Sequence, residues 1–481
     1  MNFPVILNII GSVVSIMGLF MATSIPVAAM LGGRDLGVIS VSVGVTLAFG
    51  LIAYVSTHKH KRASLKSRDV FFTVTFSWVA ISAFGALPYL LTGAFTSVVD
   101  AFFEAVAGFT TTGATVLTDI EALSPGLLYW RSLTQWVGGM GIILFALAVL
   151  PYIGSGALQL FKAEAPEITV NKLRPRIIDT AKILWYIYAS LTLICGLLYY
   201  MGGMSAYDAV CHAFTTLATG GFSTKNASIT HFQSAYIEWV CTVFMFLAGV
   251  NYTLYFFVFR GRFDRLTKNS EFKFYLGVTL LGIALISVYE YHTYGNVADT
   301  VRYAAFQVSS IMTTTGYASA DYEYWSVFSQ MLLGVLMFFG GMIGSTAGGM
   351  KQVRVMLMFK QGYRELYQLL HPRAITSLKL DGKSVSAEVL SGIWGFLFIF
   401  LLTSVFSTLV LTATGIDLVT ASSSVISAMS NVGPALGEAG PTENYAAMPA
   451  LAKIMLSLCM LIGRLEVYTV IILFLPAFWK K

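Results

Sequence analysis

Long apolar stretches alternate with short polar segments along the whole chain. Nine of the long stretches contain no charged residue, and a tenth, 447–479, carries Lys453, Arg464 and Glu466. Because a helix needs about 20 mostly apolar residues to cross a bilayer, this pattern predicts ten membrane-spanning helices. The predicted spans are 1–33, 36–57, 70–99, 132–161, 183–207, 239–259, 274–289, 324–350, 389–416 and 447–479.

Four shorter uncharged stretches, 105–118, 209–224, 303–320 and 418–437, lie between predicted spans. Each is too short, and too rich in Thr, Ser and Gly, to cross a bilayer. Irregular backbone at membrane depth is tolerated only where protein or a water-filled cavity satisfies its polar groups. The stretches therefore predict re-entrant hairpins around a pore or a substrate path.

The composition indicates the broad class of protein. Hydrophobic residues make up 56% of the 481-residue chain, charged residues 11%, and mean hydropathy is +0.74, whereas a soluble domain has about 25% charged residues. We therefore expect an all-α polytopic membrane protein. The sequence contains no HExxH or GxSxG motif, so an intramembrane enzyme is not favoured.

The distribution of basic residues predicts how the chain is oriented across the membrane. Most of the 30 Lys and Arg residues fall in segments 58–69, 151–182, 260–273 and 351–383 and in the C-terminal residues 480–481. The predicted topology puts these segments and both termini on one face, which the positive-inside rule assigns to the cytoplasm. Acidic residues concentrate on the other face, where they attract cations. The net charge of +6 follows from the basic loops, so lipid contact is expected and nucleic-acid binding is not.

Each short stretch contains a glycine turn after a predicted short helix, and we name these turns the filter loops. Asp100 and Asp208 are predicted to cap the first two short helices. The glycines that the pattern aligns are Gly113, Gly220, Gly316 and Gly433. The filter loops comprise Thr111, Thr112, Gly113 and Ala114; Ala218, Thr219, Gly220 and Gly221; Thr314, Thr315, Gly316 and Tyr317; and Asn431, Val432, Gly433 and Pro434.

Such a pattern suits a potassium pore. A K+ filter replaces the hydration shell of the ion with rings of backbone carbonyls, which requires extended backbone from four sides. Glycine allows the necessary backbone angles, threonine adds hydroxyl acceptors, and the C-terminal ends of the short helices favour a cation beneath the filter. We therefore predict two N-terminal spanning helices, 1–57, and four non-identical helix–pore loop–helix repeats around one central pore. The predicted repeats are 70–161, 181–260, 272–360 and 385–479.

Residues 340–350 interrupt a predicted span with five glycines in eleven positions. Each glycine costs a helix about 1 kcal/mol relative to alanine, so the helix is expected to break there. Such a break must face protein or water, although close helix packing by small residues is an alternative explanation. Arg464 lies inside another span, and it either faces the conduction path or pairs with an acidic residue other than Glu466, which points elsewhere around the helix.

These motifs resemble the superfamily of Trk, Ktr and HKT potassium transporters, and the bacterial Trk branch most closely. The resemblance extends over essentially the whole chain, including the Trp-Val-Gly-Gly-Met-Gly run at 136–141. It implies that the four aligned glycines form a filter, with potassium as the transported ion and Rb+ also expected to permeate. Asn431, Val432 and Pro434 depart from the other loops, which predicts imperfect fourfold symmetry and a less selective filter.

The resemblance also implies a gate, partners and a location. The interruption at 340–350 corresponds to an intramembrane gate loop, with Gly344, Ser345, Thr346, Ala347, Gly348 and Gly349 as gate residues and Arg464 beside them. It further implies a homodimer in the bacterial cytoplasmic membrane, each protomer with its own pore, and a cytosolic TrkA-like ring that binds ATP, ADP or NADH. No organic cofactor is expected on this chain. A secondary K+/H+ or K+/Na+ symporter is the alternative, although its relay candidates Glu104, Asp208, His212 and Glu238 lie near the loops rather than in a mid-membrane chain.

Overall fold

Long apolar helices dominate the computed structural model, which describes residues 1–60, 66–149, 173–374 and 376–480. Within these ranges, six helices are long and apolar enough to cross a bilayer. Two more candidates are helix pairs bent by 99° and 120°. The prediction of an all-α polytopic membrane protein is confirmed.

The N-terminal helices pack tightly against each other. They are Phe3–Ala22, continued by Ser24–Met30, and Leu36–Thr57. A Cβ atom added to Gly11 would lie 2.9 Å from the carbonyl oxygen of Gly50, so small residues let the two backbones approach closely. The first helix also packs on the first long helix of repeat 1.

Four units then follow, each with a long helix, a short helix, a filter loop and a second long helix. The first long helices are Ser67–Gly85 (continued by Leu87–Leu91), Leu173–Met201, Ser270–Tyr294 and Ala387–Ala413. The short helices are Val98–Phe109, Ala206–Leu217, Val297–Met312 and Leu418–Ser430. The helices after the filter loops, which we call the second long helices for their place in the repeat, are Pro125–Val149, Ala235–Ala248, Val327–Phe339 and Ala450–Arg464. The last three have 14, 13 and 15 residues, so they are no longer than the 16-residue short helix of repeat 3. The basic residues Lys162 and Lys172, and the predicted end of a span at 161, lie outside the described residues.

The four repeats close into a ring. The second long helix of each repeat packs against the short helix of the next one, and that of repeat 4 packs against the short helix of repeat 1. Two ion pairs strengthen this arrangement: Lys453 lies 2.7 Å from Asp100, and Arg302 lies 2.8 Å from Glu238. The short helices therefore surround one axis, with their C-terminal ends directed towards its centre.

The capping prediction for the short helices is wrong in detail. Ser97 and Ser205 occupy the N-cap positions, and Asp100 and Asp208 lie three residues further on, in the first turn. The Ser205 hydroxyl accepts a hydrogen bond from the Asp208 amide at 3.0 Å. An aspartate in the first turn still favours the helix through the helix dipole.

Within the described residues, three of the second long helices are interrupted and followed by a further helix. The predicted break at 340–350 is present, and the chain resumes as helix Gln352–Leu370. Breaks after Ala248 and Arg464 were not predicted; helices Tyr252–Phe259 and Val467–Ile471 follow them, the latter leading through the 3-10 turn Ile472–Phe474 to Pro476–Trp479. The remaining short elements are the helix Asp264–Lys268, the 3-10 turns His58–His60, Ser228–Phe232, Tyr322–Tyr324 and Gly437–Ala439, and a hairpin of strands Lys379–Leu380 and Lys383–Ser384.

Candidate ion pathway

All four short helices end in the same way. In repeat 1 the Thr111 amide donates to the Gly108 carbonyl, and the Thr112 amide donates to the Ala107 carbonyl, both at 2.9 Å. The same two bonds, reaching three and five residues back, end the other short helices at Thr219 and Gly220, at Thr314 and Thr315, and at Asn431 and Val432. The first residue of each pair has a positive φ, between 51° and 58°. Four non-identical sequences therefore adopt one backbone conformation.

This backbone corrects the alignment of repeat 2. The glycine with positive φ that follows each pair is Gly113, Gly221, Gly316 or Gly433, with φ of 80°, 78°, 80° and 104°. Gly220 instead corresponds to Thr112, so the sequence alignment was one residue out of register. Two adjacent glycines cannot be told apart in a sequence pattern, whereas the hydrogen bonds that end the helix distinguish them.

The four glycines form a closed ring of backbone contacts. A Cβ added to Gly113 would lie 2.1 Å from the Gly220 oxygen, and one added to Gly221 would lie 2.0 Å from the Thr315 oxygen. The ring continues from Gly316 to the Val432 oxygen at 2.1 Å and from Gly433 to the Thr112 oxygen at 2.5 Å. Space and positive φ therefore both require glycine here. All four also line one cavity of about 140 Å³, which we call the vestibule.

Buried polar side chains hold the filter loops from behind. Glu104 on the first short helix accepts hydrogen bonds from the Val116 amide at 3.0 Å and from the Thr115 hydroxyl. Arg131, only 1% exposed, lies 2.7 Å from Glu104 and donates to the Ser223 carbonyl at 2.9 Å. In the other repeats His212, Gln307 and Ser423 make comparable contacts with their own loops.

The remaining predicted filter residues have different surroundings. Ala114 and Pro434 line the vestibule, whereas Tyr317 is buried and its hydroxyl hydrogen-bonds Thr215. Ala218 is buried beneath the ring and packs against Gly139. The side-chain amide of Asn431 donates to the Thr112 hydroxyl at 2.9 Å, and this hydrogen bond joins repeats 4 and 1.

Carboxylates cluster near the vestibule. Glu443 lines it, and the Thr442 hydroxyl donates to Asp321 at 3.1 Å. Burial raises the pKa of Glu323, and the neighbouring charges of Asp321 and Glu443 raise it further. The Gly437 amide donates to the Glu323 carboxylate at 2.5 Å and opposes this shift. The cluster places negative charge beside the cavity, where it favours cations.

The predicted gate residues fold against the ends of three short helices. The Gly348 amide donates to the Thr314 hydroxyl at 2.6 Å, within the filter loop of repeat 3. The Gly349 amide donates to the Ser430 carbonyl at 2.9 Å, at the end of the short helix of repeat 4. The Thr346 hydroxyl lies 3.0 Å from the carbonyl oxygen of Leu217, which ends the short helix of repeat 2. The gate loop therefore lies directly beneath the filter loops.

Within the gate loop, glycines let the chain fold back on itself. A Cβ on Gly340 would lie 2.2 Å from the Gly348 oxygen. The Ser345 hydroxyl donates to Met342 inside the loop at 2.6 Å, and the Gly344 carbonyl accepts from the Tyr252 amide at 3.0 Å. The Ala347 carbonyl accepts a hydrogen bond from the Lys351 ammonium group.

Arg464 ties this loop to repeat 1. The side chain is 3% exposed, and its guanidinium donates to the Thr346 carbonyl at 2.7 Å and to the Gly138 carbonyl at 3.3 Å. Glu466 pairs with Arg354 at 2.6 Å instead, in agreement with the prediction that it is not the partner of Arg464. A buried cation thus holds the gate loop in place beneath the filter loops.

Comparison with known proteins decides the family. A sequence model of the TrkH family, described as a cation transport protein, matches residues 38–481. The chain belongs to the TrkH family. It is 41% identical to the Trk system potassium uptake protein TrkH of Halomonas elongata over the full length of both chains, and 41% identical to that of Escherichia coli K12 over 91% of each. The crystal structure of the potassium transporter TrkH from Vibrio parahaemolyticus covers all of both chains with a TM-score of 0.92 at 35% identity.

Membership of the TrkH family makes this a membrane transport protein and not an enzyme. The predicted resemblance and fold class are therefore confirmed. Sequence reasoning missed several residues that support the pathway, including Gln135 and Glu271. Both are polar residues in or next to predicted spans, a signal that marks candidate functional positions.

Proposed function

We propose that this chain carries K+ through a channel-like pore whose selectivity filter is built by the four filter loops. The observation that supports this most directly is the closed ring of Gly113, Gly221, Gly316 and Gly433 around one axis. Backbone from four sides can supply the carbonyl rings that replace a K+ hydration shell. The names of the relatives, potassium uptake proteins of Trk systems, support K+ as the ion, and we expect Rb+ to follow it.

The gate loop is proposed to obstruct this pore in the resting state. Its contacts with Thr314, Ser430 and Leu217 support the proposal, since they hold it across the path below the filter loops. The fixed charge of Arg464 opposes a cation in the same place. Opening then requires the hydrogen bonds of Thr346 and Gly348 to break together.

The basic loops and the names of the relatives support further proposals about location and regulation. We infer a bacterial cytoplasmic membrane protein, a homodimer with one pore per protomer, and both termini in the cytoplasm, which the basic loops support. A cytosolic TrkA-like ring that binds ATP, ADP or NADH is the proposed regulator. The mention of a Trk system in the names of the relatives supports a multi-subunit assembly.

The decisive experiment is cation flux into liposomes that contain only this chain. A K+ gradient is applied alone and then with an opposing H+ or Na+ gradient. We expect flux to follow the K+ electrochemical gradient and to ignore the second ion. A reversal potential that moves with the H+ or Na+ gradient would instead establish a coupled symporter.

A pair of variants ties the flux to the ring. Gly221→Ala puts a methyl group 2.0 Å from the Thr315 oxygen, and we expect it to abolish K+ flux. Gly93→Ala is the matched control, because Gly93 has a similar φ of 74° but no neighbour within 4 Å of the added Cβ. Equal flux in the two variants would contradict the proposed filter.

A further inference from the structure

Repeat 2 is the exception among the filter loops at the position before the ring glycine. Repeats 1 and 3 have Thr112 and Thr315 there, and each hydroxyl hydrogen-bonds, at 2.8 Å, the threonine two residues earlier in its own loop. Repeat 4 has Val432, which is fully buried. Repeat 2 has Gly220, which has no side chain to support the loop from behind.

The amide of Gln135 occupies the space left by that missing side chain. A Cβ added to Gly220 would lie 2.4 Å from both Cδ and Oε1 of Gln135 and 2.8 Å from Nε2. Gly220 does not have a positive φ, so backbone conformation does not explain the glycine. The reason for glycine at this position is therefore the room that Gln135 needs.

Gln135 also satisfies the backbone on both sides of the ring glycine. Its Nε2 donates to the Gly220 carbonyl at 2.6 Å, and its Oε1 accepts from the Phe222 amide at 3.0 Å. The side chain has no exposed surface. It projects from the second long helix of repeat 1, so the clamp connects that helix to the filter loop of the next repeat.

We propose that Gln135 is a specificity-determining positioning residue, which holds the repeat-2 filter loop at the width that K+ requires. The inference rests on the proposed function. In the snug-fit account of selectivity, a filter that substitutes carbonyls for water discriminates against a smaller ion because its backbone resists contracting around that ion. Two bonds from one planar amide fix the Gly220 carbonyl and the Phe222 amide relative to each other. Losing them frees the loop that borders Gly113 and Thr315 in the ring.

The test is the K+/Na+ permeability ratio, measured as a reversal potential with K+ on one side of the liposome membrane and Na+ on the other. A reversal potential does not depend on how many molecules conduct, so partial misfolding does not alter it. Gln135→Ala removes both bonds, and Gln135→Glu keeps the shape but places a second oxygen against the Gly220 carbonyl. We expect the ratio to fall about three- to tenfold in each, as for a lost buried hydrogen bond.

Two further variants sharpen the interpretation. Gln330→Glu is the matched control, since Gln330 also donates through Nε2 to backbone carbonyls, but those of Glu323 and Trp325 in a loop outside the ring. Its ratio should match that of the unchanged protein. The double variant Gln135→Ala with Gly220→Val gives repeat 2 a buried valine like Val432 of repeat 4, and we expect it to recover selectivity.

The outcomes separate the inference from the proposed function. An unchanged protein that does not prefer K+ over Na+ refutes the proposed function. A selective unchanged protein with equally selective Gln135 variants overturns the inference alone. Gln135→Glu protein that inserts normally and conducts nothing also overturns it, because Gln135 would then be needed for the pore to exist and not for its discrimination.

Discussion

Arg464 offers the sharpest test of the gate. Replacing it with alanine removes the guanidinium hydrogen bond to the Thr346 carbonyl at 2.7 Å and the longer one to Gly138 at 3.3 Å. It also removes a fixed positive charge from the proposed cation path. Both changes favour the open state, so we expect Arg464→Ala to raise basal K+ flux.

The structure sets the size of the effect. A hydrogen bond that involves a charged group contributes about 1.5–3 kcal/mol. If only the 2.7 Å bond to Thr346 is counted, losing that amount shifts a closed–open equilibrium about 10- to 150-fold towards open. Basal flux should rise by the same factor until the open fraction approaches unity.

The assay is K+ or Rb+ flux into liposomes that hold the chain without a regulatory partner, normalised to inserted protein. Arg34→Ala is the matched control, because it removes the same charge from an exposed residue in a loop after Met30. Deleting residues 344–349 should also raise basal flux. Flux that is unchanged or lower in correctly inserted Arg464→Ala protein refutes the gate assignment.

Three further predictions concern the supports of the filter and the gate. The Glu271 carboxylate accepts hydrogen bonds from the Ile343 amide in the gate loop at 2.9 Å and from the Val353 amide in the helix that follows at 3.1 Å. Glu271→Gln should raise basal flux about three- to tenfold because two charge-assisted bonds become neutral. Flux equal to that of the unchanged protein would contradict this role. Arg131→Met leaves Glu104 buried without its cation and should lower the free energy of unfolding by about 3–5 kcal/mol, measured as thermal unfolding in detergent. Adding Glu104→Gln to this variant should recover part of the loss. An Arg131→Met protein as stable as the unchanged protein would refute the prediction. Because its pKa is raised, Glu323 loses its negative charge at a higher pH than an ordinary glutamate. Apparent K+ affinity should therefore fall by about twofold at low salt as external pH drops from about 7 to 5. Glu323→Gln should flatten that dependence, and a pH profile that the variant leaves unchanged would exclude Glu323 as the titrating group.

Much of the architecture could be predicted because it depends on local pattern. Apolar runs and their charged boundaries predict spans, and a glycine after a short apolar helix predicts a turn. The break at 340–350 was predictable for the same reason, since five glycines oppose a helix wherever they occur. The breaks after Ala248 and Arg464 were not, because each position has a single neighbouring glycine, Gly249 or Gly463, and one glycine does not by itself end a helix.

The partners of Gln135 and Arg464 could not be identified from the sequence because they lie in other repeats. Gln135 contacts Gly220, which is 85 residues away, and Arg464 contacts Thr346, which is 118 residues away. A sequence pattern shows that each is polar within an apolar region. It does not show which backbone group each one reaches.

The sequence by itself determined that this is a helical membrane protein with repeated glycine turns and one broken span. Those properties depend on the hydrophobicity and the backbone preferences of neighbouring residues. Only the tertiary structure decided that Gly221 and not Gly220 completes the ring. The hydrogen bonds that end the short helix of repeat 2 set this register, and the Thr315 oxygen of the next repeat leaves no room for a side chain at Gly221. A sequence pattern with two adjacent glycines shows neither of these contacts.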